Sequence, residues 1–341
     1  MRAPSRVTLA RVASESGVSV STASRAVRGR GDMSAATRAR VLRVADALGY
    51  SPTGERRGRP RGGTSLMFDL VLGHFHDPYT DEVTAGARTA AATLRYDLVL
   101  TTAHGNPDDD WPDRIRSRGT AGVILGLLVP TAAQLGRMRE AGIPVVLLEP
   151  PEEAPERLPS VRTTDHAGGA AAAQHLLERG VRRFIVIGGA PSYRYGRARV
   201  EGFLSTVERA TPGAPCVRTE ADWGAMGAWR ACAQSLAQIG GQGPIGVFAC
   251  SDEMAAGAYR AIAEAGLVIP RDVMVVGFDD VRGARWLHPS LTTIRQPIRE
   301  MAAAAVQMLA RQVAGRDRVD DVVHLPTELV TRGSTRARFP V

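Results

Sequence analysis

At 341 residues the chain is longer than one hydrophobic core usually organises, and 44% hydrophobic residues are ample to bury two or three compact units. No run of 18 apolar residues occurs and the start, MRAPSRVTLARVA, lacks a signal-type apolar stretch, so neither a membrane span nor export is expected and the cytoplasm is. The formal charge of +8 is concentrated: residues 1–63 carry thirteen arginines against Glu15, Asp32, Asp46 and Glu55, while the remainder is near neutral. Arginines that neutralise phosphates release condensed counterions, so a basic head on a neutral body is the footprint of a polyanion-binding module. Cys216, Cys232 and Cys250 lie far apart without CxxC or Cys/His spacing, which argues against a disulfide framework and a zinc site; no cofactor is expected.

In chain order, the head reads as three short helices. Thr8 is placed to cap the first, with Leu9, Val12 and Ala13 on one face, and Gly17 supplies the turn that ends it. Ser19 is placed to cap the second, where Val20, Ala23 and Val27 fall at helical spacing while Ser21, Thr22, Arg25 and Arg28 point elsewhere. Two helices joined by a short Gly-containing turn form the helix-turn-helix pattern. A third helix is expected from near Ser34 to Gly49, with Val41, Leu42, Ala45 and Leu48 facing inward. Residues 1–50 therefore read as an all-α helix-turn-helix headpiece, and 51–64 as a basic hinge or linker that opens SPTGERRGRPRGG.

From residue 65 short apolar runs alternate with helical stretches. LMFDLVLG, YDLVLTTA, AGVILGLL, IPVVLLE, RFIVIGG, IGVFACS and VMVVGFDD read as buried parallel strands, with helices such as EVTAGARTAAATL and DEMAAGAYRAIAEAG between them. The alternation predicts an α/β domain over 65–341. Seven or more strands suit two doubly wound parallel sheets better than one, with a ligand between them.

The order TLARVASESGVSVSTASRAVRG, MSAATRARVLRVADALGYSP, Arg199-x-x-Gly-Phe203, CSDEMAAGA and VVGFDD followed by LTTIRQP resembles the lactose/galactose repressor family of bacterial regulators over nearly the whole chain. The resemblance implies a helix-turn-helix headpiece, a hinge and a two-lobed effector domain like type I periplasmic sugar-binding proteins. The lobes are expected at about 65–164 with 294–323, and about 165–292 with 324–341. It also implies a two-fold dimer reading a near-palindromic double-stranded operator, most often a repressor released by a sugar. The closing TELVTRGSTRARFPV has no sustained heptad, favouring a dimer over a tethered tetramer.

By match to the family pattern Val20, Ser21 and Arg25 are the base readers. Arg25 suits either a bidentate contact to guanine or a phosphate, and Val20 and Ser21 suit equally a core and a solvated position. Thr8, Ser19 and Ser34 are helix caps that can also touch phosphates. Thr22, Arg28 and Tyr50 complete the expected DNA face, together with Arg57 and Arg59 of the hinge.

A sugar offers many hydroxyls and one apolar face, so its site needs charged hydrogen-bonding groups and an aromatic plate. Arg199, Asp279 and, in ADWGAMGAW, Trp223 match the effector arginine, strand-end aspartate and stacking tryptophan of sugar-responsive members. The same match adds Asp77, Glu149, Ser251 and Gln296. Trp223 is alternatively a core or interface aromatic, and Asp279 alternatively a helix cap. The tryptophan favours a mono- or oligosaccharide over a purine.

An enzyme on this scaffold is the competing reading. VIGGAP lacks G-x-G-x-x-G spacing, and no GxSxG elbow or P-loop occurs. His74 and His76 with Asp77 suggest a metal only if a further ligand stands near; otherwise they line the lobe or its mouth. A periplasmic binding protein fits the effector domain but not the basic headpiece.

The hinge departs from the family pattern. Members usually carry a short helix there whose leucine wedges into the minor groove, whereas this chain reads Thr53, Gly54, Glu55, Arg56, Arg57, Gly58, Arg59, Pro60. Gly54, Gly58 and Pro60 oppose a helix. Arg57-Gly58-Arg59-Pro60-Arg61 instead resembles an AT-hook core, whose arginines follow the narrow minor groove of A/T-rich DNA; the alternative is a flexible linker making nonspecific phosphate contacts. Replacing Arg57 and Arg59 by alanine separates the two. A minor-groove arm loses affinity only on operators with an A/T-rich centre, and a nonspecific linker loses it equally on all DNA.

Overall fold

The structure, a computed structural model, describes residues 7–27, 33–48, 50, 65–104, 109–153, 157–315 and 322–336. Arg28, Arg57, Arg59 and the hinge up to residue 64 lie outside the described residues. The chain divides into two units, Met1–Gly63 and Thr64–Val341.

In the first unit α1 (Leu9–Glu15), α2 (Val20–Val27) and α3 (Ala35–Ala47) pack around Val12, Ala13, Ala23, Ala26, Val41 and Ala45. Side-chain caps start them: Thr8 accepts from the Arg11 amide, Ser19 from the Thr22 amide at 3.2 Å and Ser34 from the Thr37 amide at 3.2 Å. Gly17 takes φ +65, which a glycine adopts without strain, and turns the chain into α2. One expectation fails here. Leu42 is exposed, because the inner stripe of α3 runs through Val41 and Ala45 and a residue one position off an i, i+4 stripe turns about 100° away. Val20, the first residue of α2, is also exposed, the solvated one of its two readings.

The second unit is two α/β lobes. The first has β1 (Met67–Leu72), α4 (Pro78–Thr93), β2 (Asp97–Thr102), α5 (Trp111–Arg118), β3 (Gly122–Gly126), α6 (Ala132–Glu140), β4 (Val145–Leu148) and β5 (Ser160–Thr163). The second has α7 (Asp165–Glu178), β6 (Arg183–Gly188), α8 (Arg194–Ala210), β7 (Cys216–Glu220), α9 (Ala225–Gln238), β8 (Ile245–Ala249), α10 (Asp252–Glu264), β9 (Val273–Asp279) and β10 (Thr292–Arg295). The chain then returns to the first lobe for α11 (Ile298–Val313) and β11 (Val322–Leu325), and to the second for β12 (Glu328–Val330). Among the described residues the sheet orders are β11-β5-β4-β3-β1-β2 and β12-β10-β9-β8-β6-β7, parallel except for β12 on β10.

Strand alternation builds helix-sheet-helix layers in the first lobe. Phe68, Leu70 and Leu72 face a core that includes Val83 of α4 and Met301 of α11, and Val71 faces Trp111 and Ile115 of α5. In both lobes the strand order reverses between the first strand and the third, after β1 and β3 in one and after β6 and β8 in the other. Crevices form at the carboxyl ends of strands at such switch points.

The crossings between lobes fall slightly later than the expected boundaries. Ile294 and Arg295 complete β10 on β9, and His324 and Leu325 complete β11 on β5, before either segment leaves its sheet. Two crossing segments are tied together: Thr164 and Thr327 hydroxyls lie 3.0 Å apart, and the Thr327 amide donates to Thr164 Oγ1 at 2.9 Å.

Helices α7 and α8 cross closely because glycines stand at the contact. A Cβ on Gly202 would run into the His166 carbonyl, and one on Gly169 into the Arg199 carbonyl. Gly202→Ala is therefore expected to destabilise the protein by about 1–3 kcal/mol, the usual scale of overpacking, despite a helix-propensity gain of roughly 1 kcal/mol. Urea denaturation measures it.

Candidate functional site

The facing strand ends enclose a cleft of about 990 Å³. Asp77, Glu149, Arg199, Trp223, Ser251 and Asp279 line it. Each stands at or just after the end of a different strand, apart from Arg199, which is one turn into α8. Gln296 does not line this cleft. It sits behind Asp279, donating Nε2 to Asp279 Oδ1 at 2.6 Å, and faces a neighbouring cavity of about 470 Å³.

Arg199 is the centre of the site and is buried. Its Nε donates to Asp165 Oδ1 at 2.9 Å, and its Nη1 to the Cys250 carbonyl at 2.8 Å and more distantly to Asp279 Oδ1 at 3.5 Å. The guanidinium carbon lies 3.9 Å from the centre of the Phe278 ring, so both the plane and the direction of the fork are fixed. Asp165 and Asp279 hold Arg199 firmly protonated, overcoming a burial that alone acts the other way.

A second guanidinium connects the lobes. Arg194, at the start of α8, donates Nη2 to Glu149 Oε2 at 2.9 Å and brings Nη1 within 3.6 Å of Asp165 Oδ2. Glu149 Oε1 also accepts from the Thr163 amide. Burial, with the Asp165 carboxylate beside it, pushes Glu149 up to about 8 against the pull of Arg194 and Arg199. Burial likewise pushes Asp279 up to about 7, opposed by Arg199 and Gln296.

Trp223 is half-buried and packs against the edge of the second lobe's core. Held at φ +66, it lays its ring against Gly189 and Gly196, where any Cβ would meet it. Its ring centre lies 5.3 Å from that of Tyr195 and 5.9 Å from that of Tyr193, and its buried Nε1 finds no partner among the described residues. This is an aromatic plate with a free donor at its edge. Asp279 accepts from Arg199 and Gln296 and does not cap a helix.

Asp77 and Ser251 have structural duties as well. Asp77 caps α4 through the Tyr79 and Thr80 amides, and Ser251 caps α10 through the Met254 amide. His74 Nε2 lies 2.7 Å from Asp77 Oδ2 and its ring centre 4.8 Å from that of His76. Among the described residues no group of three or more His, Cys, Asp or Glu is placed to hold a metal, and the two histidines line the cleft.

Sequence reasoning missed Asp165, Arg194, Tyr193 and Tyr195. The last three lie in SYRYGRARV, where Arg194 and Arg199 are i, i+5 on α8, a spacing outside the i, i+3 and i, i+4 neighbour rule that would have linked them.

On the headpiece Ser19, Val20, Ser21 and Arg25 are exposed around the start of α2, with Ser21 and Arg25 one turn apart. Ser19 Oγ lies 2.9 Å from Ser21 Oγ and 2.8 Å from Thr22 Oγ1. Thr8 is exposed at the start of α1, and Tyr50 is half-buried against the three-helix core. No described helix is long and apolar enough to cross a membrane.

A model of bacterial regulatory proteins of the lacI family matches residues 8–53, and one of a periplasmic binding protein-like domain matches residues 173–335. An uncharacterized HTH-type transcriptional regulator in the aml 5′ region of Streptomyces limosus is 34% identical over 343 residues, which are 97% of this chain and 95% of that one. The transcriptional regulator CelR in complex with cellobiose superposes with a TM-score of 0.71 at 27% identity, over 96% of this chain and 100% of the other. The lac repressor dimer bound to operator and the anti-inducer ONPF superposes with a TM-score of 0.70 at 25% identity, over 98% and 100%.

The raised carboxyls make stability pH-dependent. A carboxyl that keeps its proton more tightly when folded contributes stability present at acid pH and lost as pH rises toward its folded value. Stability of the ligand-free protein is expected to fall between the ordinary glutamate range near ~4.3 and about 8, where Glu149 titrates. Glu149→Gln, which cannot titrate, flattens this slope. Chemical denaturation at closely spaced pH values measures it; an unchanged slope in the variant excludes Glu149 as its source.

Proposed function

Because the chain belongs to the LacI family of bacterial regulatory proteins, and so is a DNA-binding transcription regulator and not an enzyme, we propose that it is a cytoplasmic homodimeric repressor released from a near-palindromic operator by a sugar held between its lobes. The observation that carries the sugar reading is the pairing of a fixed, buried guanidinium with an aromatic plate in one cleft: Arg199 and Asp279 beside Trp223. Hydroxyls take the charged groups and the apolar face of a ring takes the indole. Glu149, Ser251 and Asp77 offer further acceptors, and Gln296 orients Asp279 from behind. That CelR was solved with cellobiose supports the same ligand class.

The exposed start of α2 supports the DNA reading. In a major groove Val20, Ser21 and Arg25 meet base edges, while Thr8, Ser19, Thr22 and Tyr50 meet the backbone, with Arg28, Arg57 and Arg59 adding charge. Two such headpieces on a dimer read two half-sites. The sugar must then bind the DNA-competent and DNA-incompetent arrangements with different affinity.

Fluorescence anisotropy on DNA from upstream of the protein's own coding sequence, at fixed salt and with a panel of sugars and purines, tests the proposal. One sugar is expected to weaken binding at least tenfold, about 1.4 kcal/mol of coupling. Arg25→Ala costs about 1–3 kcal/mol of base discrimination without changing sugar affinity. Trp223→Ala, which leaves the Arg199–Asp165 pair in place, keeps operator affinity and weakens the sugar response. A purine as the active ligand, or binding no tighter than to scrambled DNA, contradicts the proposal.

A further inference from the structure

The second cavity, of about 470 Å³, shares Asp279 with the cleft but is lined on its other sides by arginines and by the start of α11. That volume lies within the ~300–1,000 Å³ typical of small-molecule sites. Arg282 and Arg285 reach the cavity from the short 3₁₀ turn Arg282–Arg285 that follows β9. Residues three apart eclipse in a 3₁₀ helix, so the two side chains leave the turn on one face. Both are exposed, and neither makes an ion pair among the described residues.

The remaining charges of the lining are mostly paired. Arg295 and Arg332 hold Asp280, Arg299 holds Glu82, and Arg199 with Gln296 holds Asp279. Glu300 is the one lining carboxylate with no such partner among the described residues, against the two open guanidinia of Arg282 and Arg285. No side chain caps α11, a 16-residue helix whose first three residues line the cavity. Uncapped first-turn amides and the positive end of the helix dipole favour an anion. Gln296 adds a second requirement. It is 3% exposed, its Nε2 donates to Asp279 Oδ1 at 2.6 Å, which fixes the orientation of the amide, and its buried Oε1 finds no partner among the described residues. A buried acceptor left without a donor is costly, so this position calls for a hydroxyl or an N–H.

Independently of the sugar reading, we propose that this cavity is a second ligand site, for a small phosphate monoester that carries a free hydroxyl. Its phosphate lies between Arg282, Arg285 and the first-turn amides of α11, and its hydroxyl donates to Gln296 Oε1. Two guanidinia and a helix start offer more donors than one carboxylate can use, which favours the three terminal oxygens of a phosphate. Because Gln296 also holds Asp279, an occupant here touches the side chain that orients one wall of the effector cleft.

Isothermal titration calorimetry on the full chain tests this with glycerol 3-phosphate, methyl phosphate, glycerate and glycerol. Glycerol 3-phosphate is expected to bind saturably, at least fivefold tighter than methyl phosphate, which lacks the hydroxyl, and at least tenfold tighter than glycerate. Glycerol, which lacks the charge, is expected not to bind. Arg282→Ala and Arg285→Ala together are expected to weaken glycerol 3-phosphate at least tenfold at an unchanged melting temperature. Arg209→Ala, which removes an exposed arginine near the end of α8, and Trp223→Ala in the cleft are expected to leave it unchanged. Absence of saturable binding, or an equal loss in Arg209→Ala, overturns the site. A loss in Trp223→Ala puts the ligand in the effector cleft and overturns it too. Methyl phosphate binding as tightly overturns the hydroxyl contact to Gln296, and glycerate binding as tightly overturns the phosphate assignment.

Discussion

Three buried carboxylates, Glu149, Asp165 and Asp279, share two guanidinia, Arg194 and Arg199, where the two lobes meet. Taking a charge out of water costs several kcal/mol unless it is paired and hydrogen-bonded, and removing one partner from such a pair typically costs ~3–5 kcal/mol. The arrangement therefore constrains its surroundings strongly. Asp165 must open α7, Arg199 must lie one turn into α8, and the two helices must cross at glycine distance for the pair to meet. Arg194 adds the contact to Glu149 across the junction, so the charges that build the floor of the cleft also join the lobes.

The cleft stores strain at the same places. Glu149 at φ +44, Trp223 at φ +66 and Asp279 at φ +114 hold conformations that L residues rarely adopt, each costing on the order of 1–3 kcal/mol. All three follow strands whose sheets fix the chain on the entering side, so the strain turns side chains toward the gap between the lobes. A ligand that engages both walls then bears directly on the crossing segments, where Thr164 and Thr327 are hydrogen-bonded and Gln296 holds Asp279. Effector binding and the relative position of the lobes are in this way one mechanical problem.

Much of this was legible in the chain itself. The strands buried on both faces, such as FDLVL and VMVVGFD, appear as unbroken apolar runs, and the basic head with its capping Thr8, Ser19 and Ser34 reads directly as three helices. What escaped was polar or short. β7, CVRTE, and β11, VVHL, lie at or near sheet edges with alternating exposure, so no apolar run betrays them. Leu42 obeys the general rule for leucine but not the phase of α3. Asp165 and Arg194 are 29 positions apart in the chain and acquire their meaning only when α7 and α8 cross, which local spacing does not report. The effector residues became visible through family resemblance, while their charge balance required the fold.

A sugar that releases the operator must couple cleft to headpiece, and this coupling is read by the affinity of one effector sugar for the free protein and for the operator-bound protein under the same salt and pH. Linkage requires that operator DNA weaken sugar binding by the same factor by which saturating sugar weakens operator binding. Two equal factors of tenfold or more are the expected result. Identical sugar affinities in the free and operator-bound states would mean that the ligand has no preference between the two arrangements, and the protein would not be a sugar-released repressor.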